Sequence, residues 1–412
     1  MCGPYLKPLA CLPKLLANAK GVVEMQQEFR FSTAGRIISG LSAADALSEI
    51  VEARSAKRIL VLSDPNVART DLVDALLRRI RDLNVETTVF TGIIPEPPAH
   101  HIDELQTHFR GESYELIVAI GGGSVLDVAK LLAVLINAPF QVSDIVGTEK
   151  VPGPGIPLVA IPTTAGTGSE VTPNAIVTLT DEHLKVGIVS SHLLPSEVIL
   201  DPALTVKMPP LVTASTGVDA FIHSLESVTS NKANPVCNAV GYHSMKLIFP
   251  ALPIAYDKPD DLNARHDMLL GSMLGGMALT AAGTTAVHAL SYPLGGTFGI
   301  PHGVANAMLL VPVMEYNVGT LREDFAEIAV AIGICSRELS TKERSDRFIE
   351  ALKKFVRDVN IPTDLTQYGV TENDIEDLTI AASKVTRLLD NNRRRLDISD
   401  IRAMYENAFR TQ

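Results

Sequence analysis

Between Met268 and Met314 the chain has no Asp, Glu, Lys or Arg, and the only imidazoles there are His288 and His302. Tryptophan is absent altogether. Cysteine is limited to four residues (Cys2, Cys11, Cys237, Cys335) with neither metal-ligand nor disulfide spacing, which fits a reducing compartment and predicts a cytoplasmic location. A basic excess is missing too. The net charge of −11 argues against nucleic acid or an anionic membrane as a partner. The charge-free stretch is a candidate for a deep core or a membrane span, and its texture excludes the span. Gly271, Gly275, Gly276, Gly283, Pro293, Gly295, Gly296 and Pro301 recur through it with Ser and Thr interleaved, so no clean apolar run of about 20 residues exists. Small residues such as Gly275, Gly276, Ala281 and Ala282 suit helices packed closely in a soluble core. Two histidines in such a place must be hydrogen-bonded, or they must hold something.

A chain of 412 residues is more than one core usually serves; at about 100–200 residues per domain, two or three are expected. Residues 1–28 are read as an N-terminal extension. Met1–Val23 carries Lys7, Lys14 and Lys20 but no acidic residue and no arginine, and Pro4, Pro8 and Pro13 break it. That composition points to a disordered segment rather than a targeting one. Residues 29–201 read as an α/β domain and residues 202–412 as an all-helical one.

In the first of these, β-branched runs alternate with amphipathic stretches. Strands are expected at Ile59–Leu62, Val85–Phe90, Leu116–Ile120 and Pro157–Ile161, with helices at Asp71–Leu83 and Val125–Leu135. This is the pattern of a mainly parallel, doubly wound sheet, whose ligands sit beyond the strand C-termini. The strand at Leu116 runs into Gly121-Gly122-Gly123-Ser124 and then a helix, which suits close backbone approach to a pyrophosphate at a helix N-terminus. An ordinary tight turn fits the same residues. Asp64 ends the first strand, where a carboxylate accepts from a ribose diol or merely caps a turn before Pro65. The turn Pro162–Glu170 crowds hydroxyls and glycines after a strand, as a polar ligand requires or a solvated loop allows. Lys185, in an apolar setting, either meets a phosphate or the nicotinamide ribose or snorkels.

In the second half, Asp219 and His223 lie four apart on a predicted helix (Thr216–Val228), so they share a face. Alone, they fit a local hydrogen bond. With His288 and His302 they make one carboxylate and three imidazoles, a set suited to Fe²⁺ or Zn²⁺ with a position open for substrate. The other histidines (His100, His101, His108, His183, His192, His243, His266) read as surface.

Four ordered motifs, Gly121–Lys130 (GGGSVLDVAK), Pro162–Glu170 (PTTAGTGSE), Thr216–His223 (TGVDAFIH) and Pro301–Ala307 (PHGVANA), resemble those of the iron-containing, group III alcohol dehydrogenases. The resemblance runs from about Phe29 to the C-terminus. It implies a dehydroquinate synthase-like fold, an α/β nucleotide-binding domain followed by an all-α domain, with the active site between them. It implies a divalent metal on Asp219, His223, His288 and His302. It places the pyrophosphate of NAD on Gly122, Gly123 and Ser124 with Asp127 nearby, the rest of the cofactor against Thr163, Thr164, Thr167 and Lys185, and the adenosine ribose on Asp64. Asn174 is expected to line the substrate pocket, and a homodimer is expected. In well-known members a histidine thought to take part in proton transfer follows the third metal ligand by four residues. Here that position is Tyr292, as in some relatives that include hydroxyacid–oxoacid transhydrogenases.

The implied activity is metal- and NAD-dependent hydride transfer between nicotinamide and a small alcohol or hydroxy acid, or reduction of the matching aldehyde or ketone. A transhydrogenase-like or maleylacetate reductase-like enzyme is the alternative on the same fold. A sugar-phosphate cyclase is disfavoured because a dense Lys/Arg phosphate pocket is not evident, and a non-catalytic protein because all four ligand positions are filled.

Overall fold

The computed structural model describes residues 28–83, 85–179 and 184–410. The extension read over residues 1–28 lies outside these apart from Glu28, and so does His183. Nine strands are present among the described residues: β1 (Arg36–Ser39), β2 (Arg58–Ser63), β3 (Glu86–Phe90), β4 (Leu116–Gly121), β5 (Gly147–Thr148), β6 (Leu158–Pro162), β7 (Asn174–Leu179), β8 (Leu184–Val189) and β9 (Glu197–Leu200). Six of them form one parallel sheet in the order β1-β9-β6-β4-β2-β3. Its central strand β4 is buried along its whole length, which is why its sequence is an unbroken apolar run rather than an alternation. Helices α1 (Ala46–Arg54) and α2 (Asp71–Asp82) cover one face, through Leu47, Ile50 and Ile80 against Ile59, Val61 and Val118. Helices α3 (Ala99–Phe109) and α4 (Gly123–Leu135) cover the other, through Ile102, Leu105, Val128 and Leu132 against Leu60, Leu62, Ile117 and Ala119.

The strand order fixes where a ligand can sit. From β2 the chain steps to β3 on one side and then crosses back to β4 on the other, so the order reverses between β2 and β4. A crevice opens at such a reversal, beyond the carboxyl ends of the strands. Ser63 pairs with Ile120 there, and Gly121 with Pro162. Asp64, the glycine turn and the Thr-rich turn therefore emerge side by side.

A second sheet, β5-β8-β7, was not expected from sequence. Strand β7 alternates between buried and more exposed positions and its antiparallel partner β8 is interrupted by Lys185 and Gly187, so neither reads as a buried run.

After β9 the described residues form α-helices, with two four-residue 3-10 turns (Pro202–Thr205 and Leu365–Tyr368): α5 (Pro210–Val228), α6 (Pro235–Asp257), α7 (Leu262–Ala282), α8 (Ala286–Phe298), α9 (His302–Ala331), α10 (Thr341–Asp358), α11 (Ile375–Ser383), α12 (Thr386–Leu389) and α13 (Ile398–Arg410). Several starts are written in the sequence. Asn234 accepts from the Cys237 N–H, Asp261 from those of Asn263 and Ala264, and Ser340 and Glu343 form a capping box. Among the described residues no single helix is long and apolar enough to cross a membrane. Helices α7 and α8 are apolar enough only when joined, and they meet at a 105° bend. Their apolar residues (Met268, Leu269, Ala278, Leu290, Leu294) belong to the core shared with α5, α6 and α9.

The Thr-rich turn docks on that helical core by backbone contact. Gly168 adopts φ 61°, and a Cβ added to Gly276 of α7 would stand 2.6 Å from its carbonyl oxygen. Only a glycine on each side permits this approach.

Candidate metal centre

Three helices deliver the four candidate ligands. Asp219 and His223 share a face of α5, one turn apart; His288 lies in the first turn of α8; His302 opens α9 directly after Pro301. One ligand atom from each lies within 4.8 Å of all the others. Asp219 Oδ1 is 3.7 Å from His223 Nε2, 3.5 Å from His288 Nε2 and 3.9 Å from His302 Nε2. Asp219, His223 and His288 are buried, whereas the His302 side chain is 35% exposed and marks the open side.

Two residues that sequence reasoning missed complete the cluster. Glu226, fully buried on α5, accepts from the Thr285 hydroxyl (2.7 Å) and the Val287 N–H (2.6 Å), and its other oxygen lies 2.6 Å from His288 Nδ1. The Asn306 amide nitrogen, one turn after His302 on α9, lies 2.7 Å from Asp219 Oδ1 and 3.2 Å from Nε2 of both His288 and His302. The signals for both were present as His223-x-x-Glu226 and His302-x-x-x-Asn306, spacings that put each on its ligand's side of the helix.

The electrostatics call for a cation. Burial alone would raise Asp219, but the imidazoles of His223, His302 and His288 outweigh it and hold the carboxyl well below the usual range. Burial also opposes charge on the imidazoles. It lowers His223, and it takes His302 down to about 4 despite Asp219. At His288 burial is overcome by Glu226 and Asp219, which raise it to about 9. Two buried carboxylates thus face one imidazolium when no metal is bound. A divalent ion would neutralise both while the imidazoles stay neutral, the form in which they ligate. The residues fit the metal.

The crevice residues divide. Helix α4 starts at Gly123 without a side-chain cap, so its first N–H groups face the crevice. A Cβ on Gly122 would lie 3.2 Å from Thr164 Cγ2, and one on Gly123 2.7 Å from Thr167 Cγ2. The glycine turn and the Thr-rich turn therefore form one surface. Thr163 is buried with its hydroxyl unpartnered among the described residues. Ser124 Oγ accepts from the Glu96 N–H. Asp64 Oδ1 accepts from the N–H groups of Asn66 and Val67, a turn cap that leaves Oδ2 without a hydrogen bond among the described residues. Asp127 is engaged internally: it accepts from the Ser169 hydroxyl and the Ile176 N–H, beside the buried Lys130. That ammonium also donates to the carbonyl of Asn174, which opens β7. Glu170, inside the same cluster, is driven up to about 7 by burial.

Lys185 on β8 pairs with Glu96 at 2.8 Å, and its charge helps to depress His302. The backbone of Gly166 lies against His223. These two contacts bring the crevice to the metal centre. Tyr292 stands one turn beyond His288, its ring centroid 6.2 Å from that of His302. Helix α8 continues through Pro293, although proline disfavours helical geometry at the residue before it. Burial pushes the Tyr292 hydroxyl up, opposed by Arg387 and helped to a smaller degree by Glu226 and Asp219. Of the histidines read as surface, His101 is half-buried. Its Nε2 is enclosed without a partner among the described residues, and burial lowers its pKa.

Comparison with known proteins gives a consistent result. Residues 34–202 match the family model described as iron-containing alcohol dehydrogenase, and residues 213–409 the model described as Fe-containing alcohol dehydrogenase family, C-terminal. Long-chain-alcohol dehydrogenase 1 of Geobacillus thermodenitrificans (strain NG80-2) is 40% identical, covering 90% of this chain and 94% of that protein. A crystal structure of 1,3-propanediol oxidoreductase superposes with a TM-score of 0.89 at 34% identity, over 93% of this chain and 100% of that one. The structure of sulfoacetaldehyde reductase from Bifidobacterium kashiwanohense in complex with NAD⁺ does so with a TM-score of 0.83 at 30% identity, over 94% and 100%.

Proposed function

The chain belongs to the iron-containing alcohol dehydrogenase family, and from that premise we propose a metal- and NAD-dependent enzyme whose four-ligand centre faces the nucleotide crevice. It is an oxidoreductase acting on alcohols and aldehydes. One observation carries the fuller reading: Asp219, His223, His288 and His302 converge from three helices beside the turns that end β4 and β6. Fe²⁺ is the proposed ion, with Zn²⁺ the alternative that the same donors accept. The residues also suit a small hydroxy acid as substrate, with Asn174 at the pocket wall. A homodimer is proposed, since among the described residues β1 has no neighbour on its outer side, and a cytoplasmic location is proposed from the scattered cysteines.

Oxidation removes a proton from the hydroxyl and a hydride from its carbon; reduction reverses both. The reaction needs Lewis acidity at the substrate oxygen and a hydride acceptor, which the divalent ion and the nicotinamide supply when bound. The chain's own residues do the rest. Gly122, Gly123, Ser124, Thr163, Thr164 and Thr167 hold and orient the dinucleotide, and Asp127 stiffens α4 beneath them by tying it to Ser169 and Ile176. Lys185 fixes the nicotinamide end. Tyr292, neutral at working pH, orients substrate or relays the proton. The test is an anaerobic screen of small alcohols and aldehydes with NAD(H), on protein of measured metal content, before and after chelation. Turnover that is unaffected by complete metal removal would sink the reading.

Two substitutions probe its parts. A carboxylate at Asp64 favours a free ribose 2′-hydroxyl and repels a 2′-phosphate, so NAD should outperform NADP by roughly 100-fold. Asp64→Gly should narrow that ratio, and a wild-type preference for NADP would show that Asp64 points elsewhere. Tyr292→Phe removes only the hydroxyl. Turnover should fall about 10-fold, the worth of one hydrogen bond, with metal content and melting temperature kept. Turnover unchanged over the full pH range would leave Tyr292 a packing role alone.

A further inference from the structure

Glu226 lies outside the ligand set, yet it joins two of the helices that carry the ligands. It is carried by α5, the helix of Asp219 and His223, and its side-chain hydrogen bonds among the described residues all run to the start of α8. One oxygen accepts from Thr285 Oγ1 and from the Val287 N–H, two donors at the first turn of α8. That turn has no side-chain cap of its own. Glu226 therefore caps α8 from another helix and places its charge at the positive end of that helix dipole. Its second oxygen lies 2.6 Å from His288 Nδ1.

From this geometry we propose that Glu226 is a positioning residue for the metal, resting on the four-ligand reading above. A carboxylate accepts hydrogen bonds and cannot donate them, so the proton shared with His288 must sit on Nδ1. Once the ring gives up its second proton to a metal, Nε2 carries the lone pair, and it is Nε2 that points at Asp219, 3.5 Å away. The same carboxylate fixes the pitch of α8 and hence where His288 stands relative to the two ligands on α5. Register and tautomer are set by one side chain. Partners of this kind strengthen metal binding by about 10- to 100-fold.

The test is Glu226→Gln, with the metal alone as probe. Glutamine keeps an oxygen for Val287 and Thr285 but turns an N–H₂ toward Nδ1, which moves the ring proton to Nε2, where it blocks coordination. Zn²⁺ and anaerobic Fe²⁺ are titrated into apo wild type and apo variant by competition with a chelator, and both apo proteins are melted. A dissociation constant weakened at least 10-fold, with an apo melting temperature close to wild type, supports the proposal. A wild-type constant in a folded Glu226→Gln overturns it. Wild type that takes up no metal at all would instead overturn the four-ligand reading, which keeps the two failures apart. Should the variant not fold, the ¹⁵N spectrum of imidazole-labelled, zinc-loaded wild type decides. Coordination of His288 through Nε2 with Nδ1 protonated supports the proposal, and coordination through Nδ1 overturns it.

Discussion

His302→Ala is expected to give a folded protein that retains little divalent metal and turns over at least about 10³-fold more slowly, a loss of about 4 kcal/mol in transition-state stabilisation. The position is chosen for its tolerance. His302 is the first residue of α9, where the backbone N–H has no intrahelical partner, and alanine is a good helix former. Its side chain is 35% exposed, so truncation leaves no sealed cavity. The remaining three ligands stay on α5 and α8, and Glu226 still holds α8. What is lost is one donor of four on the open side. Metal per protomer by elemental analysis, together with anaerobic turnover, checks the outcome; full metal occupancy would remove His302 from the ligand set.

Gly276→Val is expected to act on the whole assembly of the site rather than on one ligand. A Cβ at position 276 would meet the Gly168 carbonyl oxygen at 2.6 Å, its Cα at 2.8 Å and Val171 Cγ2 at 3.0 Å. Two of the three are backbone atoms, which cannot swing aside as a side chain would. Either α7 leaves its place against α5 and α6, or the Thr-rich turn lifts off the helical core. Overpacking of this kind costs about 1–3 kcal/mol. The turn also carries Thr163, Thr164 and Thr167, so its displacement should raise the KM for NAD as well. Denaturant unfolding and cofactor kinetics measure the two effects separately. Wild-type stability together with wild-type KM would mean that the two backbones are less tightly apposed than the contact distances imply.

How far the sequence discloses this molecule depends on the range of the interaction. The β2, β4 and β6 strands are local apolar runs, and the helix pair Asp219/His223 is a local spacing, so both are readable. His288 and His302 stand out because a stretch without charges has no other use for imidazoles. Glu226 is different. Its spacing from His223 is visible, but its partners Thr285, Val287 and His288 are about sixty residues away, and only the crossing of α5 with α8 joins them. Asp127 shows the converse. Its motif suggests a place at the cofactor, and the fold engages both its oxygens with Ser169 and Ile176. The β7–β8 hairpin escapes notice because its strands are only half-buried, and the Gly168–Gly276 contact because a glycine records no partner. Helix α8 running through Pro293 is a tertiary override: Tyr292 is held helical by the packing around it, against its local preference.

The order of strands in the large sheet bears on how the chain is made. Among the described strands β1 is synthesised first, yet its neighbour is β9, some 160 residues later in synthesis. Until Glu197–Leu200 emerges, Arg36–Ser39 lacks its partner in the sheet, and β6 likewise lacks the neighbour on its outer side. The β2-β3-β4 portion can assemble early from nearby segments; the β6-β9-β1 portion cannot close before the α/β half is complete. Closing so distant a pair carries a loop-entropy cost and slows the final step, and the waiting edge is a template for wrong pairing. The nascent chain therefore passes through an interval in which β6 awaits its neighbour and the four proposed metal ligands have not yet been translated. Chaperone capture of ribosome-bound chains stalled before and after Glu197–Leu200 has emerged would report that interval directly.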